Sequence, residues 1–246
     1  MIRFFVTAED IRGNSILLGQ RNTSHIKALR LRVGEEIIVS DGYGTEYSCV
    51  FLGMENGIGS AEIVSSAMCA SEPSVCASLY VAMPKGDKAE LILQKAVELG
   101  AERICFFLSS RCISRPEDSA VKKRLERLAR VSEEAAMQSG RGIIPEVRWL
   151  SDFRTMAEEA AGNSLGLFLW EEARGVSLRA ALLHNGAGLR SVALVTGPEG
   201  GFSAEEAATA ESFGLQLVTL GKRILRCETA PICALSALMY ATKNLE

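Results

Sequence analysis

Val192-Ala193-Leu194-Val195-Thr196-Gly197-Pro198-Glu199-Gly200-Gly201-Phe202-Ser203 is the stretch on which the fold turns. An apolar run of strand length enters a loop of three glycines and one proline, and a serine opens the next segment. Glu206 follows Ser203 at the spacing of a capping box, and Gly214 stands where that helix would stop. Strand, glycine loop and helix form the repeating unit of an open α/β sheet, in which ligands bind beyond the carboxyl ends of strands. The glycines allow positive φ angles and let a ligand approach the backbone, and Pro198 stiffens the turn. The loop fits neither G-x-G-x-x-G nor G-x-x-x-x-G-K-[ST], so dinucleotide and P-loop readings are weak. Glu199 would repel a phosphate, which favours a neutral or cationic ligand. A plain strand-to-helix turn is the alternative.

The same alternation extends in both directions. Ala77–Ala82, Ile104–Leu108, Leu165–Trp170 and Gln216–Leu220 read as buried strands. Between them lie helical segments. One is capped by Asp87 with Glu90 and runs to Leu99, with Gly100 as its stop. A long one spans 118–138, with Val121, Leu125, Leu128 and Ala135 on one stripe. Another covers Ser177–His184, and an apolar helix runs over Thr229–Thr242, with Thr229 as N-cap and Pro231 in its first turn. Strands alternating with helices predict a mostly parallel sheet covered on both faces. The N-terminal part is different. Glu36–Ser40, the turn Asp41-Gly42-Tyr43-Gly44, the hairpin partner Glu46–Leu52 and the short strand Ser60–Val64 predict a small β-barrel or sandwich. Residues 65–76 are small, polar and proline-containing, which places a domain boundary there. The expected domains are 1–70 and 75–246.

Composition bounds the function. The 246 residues are 48% hydrophobic and 23% charged with a net charge of −3, the profile of a folded globular chain. No apolar run reaches the ~18 residues of a membrane span, and the N-terminus shows no signal-peptide pattern. Seven cysteines without a C-x-x-C pair point to buried free thiols in a reducing cytoplasm. Two histidines leave little for a metal site, so no metal is expected. Charge is segregated: +4 over residues 1–34, −7 over 35–84, +4 over 85–130, −6 over 131–215 and +2 thereafter. Only charges within about a Debye length of phosphate matter for nucleic-acid binding, so a local patch could grip RNA. Solvated faces explain the same runs.

Three further segments could carry chemistry. Leu220-Gly221-Lys222-Arg223-Ile224-Leu225-Arg226-Cys227-Glu228-Thr229-Ala230-Pro231 repeats the pattern of a strand ending in glycine before a charged loop and a helix. Arg226 and Glu228 there are a functional pair or a solvated one. Gln138-Ser139-Gly140-Arg141-Gly142 places an arginine between glycines at a helix end. Met83-Pro84-Lys85-Gly86-Asp87-Lys88 is a basic turn after a strand, and Arg111 and Arg115 follow another strand end.

Taken in order, these motifs resemble those of the bacterial 16S rRNA uracil-N3-methyltransferases of the SPOUT superfamily. They are Met83–Lys88 with Lys95–Gly100, Gln138–Arg141 with Pro145, Gly197–Phe202, and Leu220-Gly221 with Ile224-Leu225-Arg226-x-Glu228-Thr229-Ala230. His25-Ile26, Leu29-Arg30-Leu31, Gly34 and Asp41-Gly42 are similar to the family's PUA-like RNA-binding domain. Cys227 stands where the family usually has threonine. The resemblance implies an α/β SPOUT domain with a trefoil knot behind a small PUA-like β-barrel, a homodimer, and S-adenosyl-L-methionine as cofactor. It implies methyl transfer to N3 of a uridine in small-subunit 16S rRNA, the family target being uridine 1498, on ribosomal particles. It assigns the methyl donor to Leu169, Glu171, Thr196, Gly197, Pro198, Glu199, Gly200, Gly201, Leu220, Gly221, Ile224, Leu225, Arg226, Thr229 and Ala230, in loops that include Trp170. Removing the N3 proton leaves negative charge on the flanking carbonyls. A fixed guanidinium, Arg141 or Arg226, would stabilise it, and Glu228 or Glu199 would take the proton or orient an arginine. RNA grip would come from Arg3, Arg12, Arg21, Arg30, Arg32, Lys85, Lys88, Arg111 and Arg115. The rival readings are a non-catalytic RNA-binding protein, a ribose 2′-O-methyltransferase of the same superfamily, and a nucleotide-phosphate enzyme.

Overall fold

The computed structural model describes residues 2–185 and 188–245. The chain divides into two compact units. The first comprises the residues up to Glu72 together with Ala136–Ile144, and the second comprises Pro73–Ala135 and the chain from Pro145 onward. The sequence showed no reason for the excursion at 136–144.

The first unit holds a six-stranded sheet in the order β1-β4-β5-β6-β3-β2. Its strands are β1 (Ile2–Phe5), β2 (Ile11–Arg12), β3 (Ser15–Leu18), β4 (Glu36–Ser40), β5 (Thr45–Glu55) and β6 (Ile58–Met68), with helix α1 (Gln20–Leu29) between β3 and β4. All pairings are antiparallel except β1 with β4. The turn from β5 to β6 is Asn56-Gly57, both at positive φ, the geometry of a tight hairpin. Alternate residues bury Phe4, Ile16, Leu18, Ile37, Val39, Phe51 and Ala61, and α1 adds Ile26. Gly59 permits that packing, because a Cβ there would lie 2.9 Å from Ile26. Helix α1 was not predicted: it buries only Asn22 and Ile26, too little to show a periodic apolar face. Asn22 ties it down by donating to the Phe5 carbonyl at 3.0 Å.

The segment at 136–144 is held within this unit by polar contacts. Ser40 donates to the Gly142 carbonyl at 2.7 Å and Ser71 to the Gly140 carbonyl at 2.6 Å. The Glu72 carboxylate accepts from the Gly142 and Ile143 amides at 2.8 and 3.0 Å.

The second unit holds an all-parallel sheet in the order β12-β10-β11-β7-β8-β9. The strands are β7 (Cys76–Ala82), β8 (Arg103–Phe107), β9 (Glu146–Trp149), β10 (Leu165–Leu169), β11 (Ser191–Thr196) and β12 (Gln216–Val218). The helices are α2 (Lys88–Glu98), α3 (Asp118–Ser139, whose last turn counts with the first unit), α4 (Phe153–Ala161), α5 (Leu178–Asn185), α6 (Ala204–Ser212) and α7 (Thr229–Ala241). Strand β10 is buried along its whole length and β7 from Ala77 onward, as a sheet covered on both faces requires. Chain order reverses at β7: β8 and β9 extend one side, and β10 to β12 build the other. Beside it, β10, β11 and β12 are neighbours, so the loops after them open side by side.

Several local expectations need correction. Asp87 is the N-cap of α2, but its side chain makes no capping bond, and Glu90 instead pairs with Arg127 at 2.8 Å. The Ser203–Glu206 capping box does form, with Ser203 accepting from the Glu206 amide and Glu206 accepting from the Ser203 amide. Thr229 is the first helical residue of α7 and Glu228 the cap, because the Arg226 carbonyl already accepts the Thr229 and Ala230 amides. Strand β12 ends at Val218 and does not reach Leu220; Thr219 turns away to exchange backbone bonds with Val176 and Leu178. Among the described residues no helix is long and apolar enough to cross a membrane, and all seven cysteines are unpaired.

Candidate functional site

A cavity of about 320 Å³ opens over the carboxyl ends of β10, β11 and β12, at the low end of the ~300–1,000 Å³ typical of small-molecule sites. Three loops build it, one from each strand.

The loop after β11 is rigid. Thr196 is buried and donates to the Tyr80 carbonyl at 3.3 Å. The Pro198 carbonyl accepts from the Gly201 amide at 3.0 Å, closing a four-residue turn. Arg111 braces that turn by donating to the Gly200 carbonyl at 3.1 Å. Phe202 plugs the loop into the core, its ring tilted against Phe168 at 4.2 Å between centroids, stacked on Phe107 at 6.5 Å and edge-on to Phe153. Gly201 sits at φ +65, and a Cβ there would collide with the Glu171 carboxylate. Glycine is therefore required twice, for the backbone angle and for the close approach of the neighbouring loop.

The loop after β10 carries Leu169, Trp170 and Glu171 into the cavity wall. The Trp170 amide donates to the Val218 carbonyl at 3.0 Å, which ties this loop to the end of β12, where the third loop begins. The Trp170 indole nitrogen Nε1 is buried and, among the described residues, has no hydrogen-bond partner. The loop after β12 contributes Thr219 to Cys227, with Gly221 at φ +104 and its amide held by the Thr219 hydroxyl at 3.2 Å. Lys88, at the start of α2, completes the wall.

The wall contains a compact charge cluster. The Lys88 ammonium lies 3.1 Å from Glu199 Oε1 and 3.1 Å from Glu228 Oε2. Those two bonds, to Glu199 first, hold the ammonium above its ordinary range. Glu199 stays ionised: burial opposes this, but its own amide, the Lys85 amide and Lys88 outweigh burial and hold the carboxyl below its ordinary value. Glu228 is held low by its own amide and by the Cys227 thiol, which donates to it at 3.2 Å. Burial, with Glu228 alongside, pushes the Cys227 thiol up to about 12. Cys227 is therefore an uncharged donor at neutral pH, and its hydroxyl-like role suits the place where the resembled family has threonine.

Of the residues that the sequence assigned to a ligand, thirteen line the cavity. The two that do not are Gly200, whose carbonyl faces Arg111, and Thr229, exposed at the start of α7. Sequence reasoning missed the part played by Lys88, Thr219, Lys222, Arg223 and Cys227. Lys88 lies over a hundred positions from either loop in sequence, and no local pattern reveals its partners. Arg226 lines the cavity and is exposed, but it does not pair with Glu228 as the spacing allowed, because Lys88 occupies that carboxylate. Arg141 belongs to the first unit, is buried, and is bonded to Glu72 at 2.6 Å. In the basic set, Arg3 is ion-paired with Glu46, and Arg115 donates to the Ser109 and Ser110 carbonyls. Arg12, Arg21, Arg30, Arg32 and Lys85 have exposed side chains. Arg30 caps α1 at φ +52, a left-handed angle uncommon outside glycine. Among the described residues there is no His, Cys, Asp and Glu grouping able to hold a metal ion.

Comparison with known proteins gives a consistent picture. Residues 71–239 match the RNA methyltransferase domain family and residues 18–64 the RNA methyltransferase PUA domain. The chain is similar to Ribosomal RNA small subunit methyltransferase E of Bacillus subtilis, with 31% identity over 224 residues, 89% of this chain and 87% of the relative. It is similar to the Mycobacterium bovis protein of the same name, with 32% identity over 250 aligned positions, 99% and 93% of the two chains. Among solved structures, it is similar to that of a Ribosomal RNA small subunit methyltransferase E from Neisseria gonorrhoeae bound to S-adenosyl methionine. The TM-score is 0.86 and the identity 30%, covering 98% of this chain and 97% of the other.

Proposed function

The chain belongs to the ribosomal RNA small subunit methyltransferase E family, and from that premise we propose that its cavity binds S-adenosylmethionine and that it methylates N3 of a uridine, uridine 1498 in the family's numbering, in 16S rRNA of ribosomal particles. The observation that carries this reading is the three-loop cavity over adjacent parallel strands, formed by Leu169–Glu171, Thr196–Gly201 and Thr219–Cys227.

The residues present fit the cofactor. The Trp170 Nε1 is a buried donor in need of an acceptor. Leu169, Ile224 and Leu225 offer apolar contact for a purine face. The carboxylates Glu171 and Glu199 on the cavity wall suit a cation, and Glu228 is joined to that wall through Lys88. When bound, S-adenosylmethionine supplies a methyl group on a positively charged sulfur. The chain's own residues do the rest. The braced turn at Pro198–Gly201 and the backbone bond from Trp170 to Val218 hold the loops in one geometry, so positioning supplies much of the acceleration. The exposed Arg226 guanidinium on the cavity rim is assigned to stabilise negative charge on a uracil carbonyl as N3 gives its proton to solvent water. Glu199 and Glu228 are both committed to Lys88 as ionised acceptors, so the arginine, rather than either carboxylate, is assigned the main chemical role. N3 lies on the Watson–Crick edge, and the target base must therefore be unpaired or flipped.

RNA grip is assigned to exposed Arg12, Arg21, Arg30 and Arg32 in the PUA-like unit and to Lys85, Arg111 and Arg115 in the catalytic unit, through phosphate contacts. The reading includes a homodimer, supported by α2, α5 and α7, which pack together yet leave Leu91, Leu183 and Tyr240 exposed. It also includes a trefoil knot around β12 and α7, supported by β12 pairing with β10 while α7 returns onto β7 and β11. A cytoplasmic setting fits seven free thiols.

The test is mass spectrometry of nucleosides from 16S rRNA of small subunits incubated with the protein and donor. 3-Methyluridine is expected. A methylated ribose, or no methylation, overturns the reading.

A further inference from the structure

An ammonium in the first turn of a helix faces the positive end of the helix dipole, an unfavourable place for a cation. Lys88 occupies that place on α2, and its ammonium is held there by carboxylates from two distant segments, Glu199 of the turn after β11 and Glu228 at the cap of α7, each at 3.1 Å. The Cys227 sulfur lies 3.5 Å from the same ammonium, and Glu199 also accepts the Lys85 amide at 3.0 Å. One ammonium thus joins three parts of the cavity wall. Two carboxylates share a single positive charge, and the neutral Cys227 thiol adds none, so the cluster keeps one net negative charge against the cavity.

We propose that Lys88 is a positioning residue with two effects: it locks the Gly197 and Leu220 loops together through Glu199 and Glu228, and it holds this cluster at a charge of −1, on a wall that also carries Glu171, Lys222, Arg223 and Arg226, so that the cluster favours a cationic sulfonium ligand over the neutral thioether that remains after methyl transfer. The inference rests on the functional reading above and deepens it. Ligands before and after transfer differ by one methyl group and one positive charge at sulfur. A fixed negative charge in the cavity wall discriminates between them without contacting the methyl group. Removing Lys88 makes the cluster more negative and loosens the loops. Removing the Glu228 charge makes the cluster neutral.

The experiment is calorimetric titration of the full-length protein at pH 8 and low salt with S-adenosylmethionine and, separately, S-adenosylhomocysteine. Lys88→Met is expected to weaken both ligands while raising the preference for the cation about fivefold, the order expected of one added charge in a partly solvated site. Glu228→Gln is expected to lower that preference by a similar factor, and Lys88→Arg to restore wild-type behaviour. A purely structural prop would weaken both ligands equally in every variant. Unchanged affinities in Lys88→Met, or a preference that does not move in opposite directions in Lys88→Met and Glu228→Gln, overturns the inference while leaving the functional reading intact. Wild-type protein that binds neither compound overturns the functional reading, and this inference with it.

Discussion

Two ion-pair clusters in this chain use the same chemistry to opposite ends. At Glu72, one carboxylate accepts from the Arg141 guanidinium and from two backbone amides, and the arginine is buried. At Lys88, one ammonium on the wall of a cavity is shared by two partly exposed carboxylates. The first cluster balances its charges and fastens the 136–144 segment to the N-terminal sheet. The second leaves a residual charge facing a ligand site. Burial with balanced charge marks a fastener, whereas a net charge left beside a cavity marks a group that acts on something else.

That contrast can be broken experimentally, most decisively at Glu72. Glu72→Ala strips a buried guanidinium of its carboxylate and should cost about 3–5 kcal/mol in chemical denaturation; a loss below 1 kcal/mol would show that the pair is not a fastener. Next in size is Arg226→Ala. It should slow single-turnover methyl transfer about a hundredfold while changing donor affinity less than about threefold. Comparable loss of donor affinity would move Arg226 from the chemistry to cofactor binding. Gly201→Ala should lower stability by roughly 1–2 kcal/mol, since it forces a side chain into a left-handed angle and against Glu171, and should weaken donor binding at the same time. Ser203→Ala removes one half of the α6 capping box and should cost about 1 kcal/mol with donor affinity unchanged.

The smallest effect is that of pH on the Lys88 cluster. Glu199 and Glu228 are depressed below their ordinary 4.5, so the stability they contribute is present above that value and is lost as pH falls through their lower folded values. Lys88 is raised above 10.5, so its contribution is present below that value and is lost only as pH rises through its higher folded value. Thermal melting should therefore show no change from this cluster between about pH 5 and 10. In Lys88→Met the acid-side loss from these two carboxylates should shrink, because they return toward 4.5 and their folded and unfolded values then differ less.

Much of the catalytic unit was legible because its signals are local. Apolar runs of strand length, glycine stops at Gly100 and Gly214, and the Ser203–Glu206 box lie within a few residues of the structure they specify. Glycine after a parallel strand marked two loops as able to hold a ligand, and the family resemblance named the thirteen residues that line the cavity. The missed hairpin turn at Asn56-Gly57 was also readable, since that dipeptide favours positive φ at both positions. Helix α1 and the short strand β9 were not, because each buries too few apolar side chains to show a period.

What the sequence alone determined is the set of local conformations and the chemical inventory of each loop: where strands end, which turns need glycine, and which loops carry charge. Tertiary structure alone decided which charges meet. Lys88 finds Glu199 and Glu228, and not a phosphate, only once β7, β11 and β12 stand in one sheet. Arg141 becomes a fastener only when its loop returns to Glu72. Backbone preference is set by neighbours in sequence, whereas the strength and purpose of an ion pair depend on distance and burial, which exist only after the chain has folded.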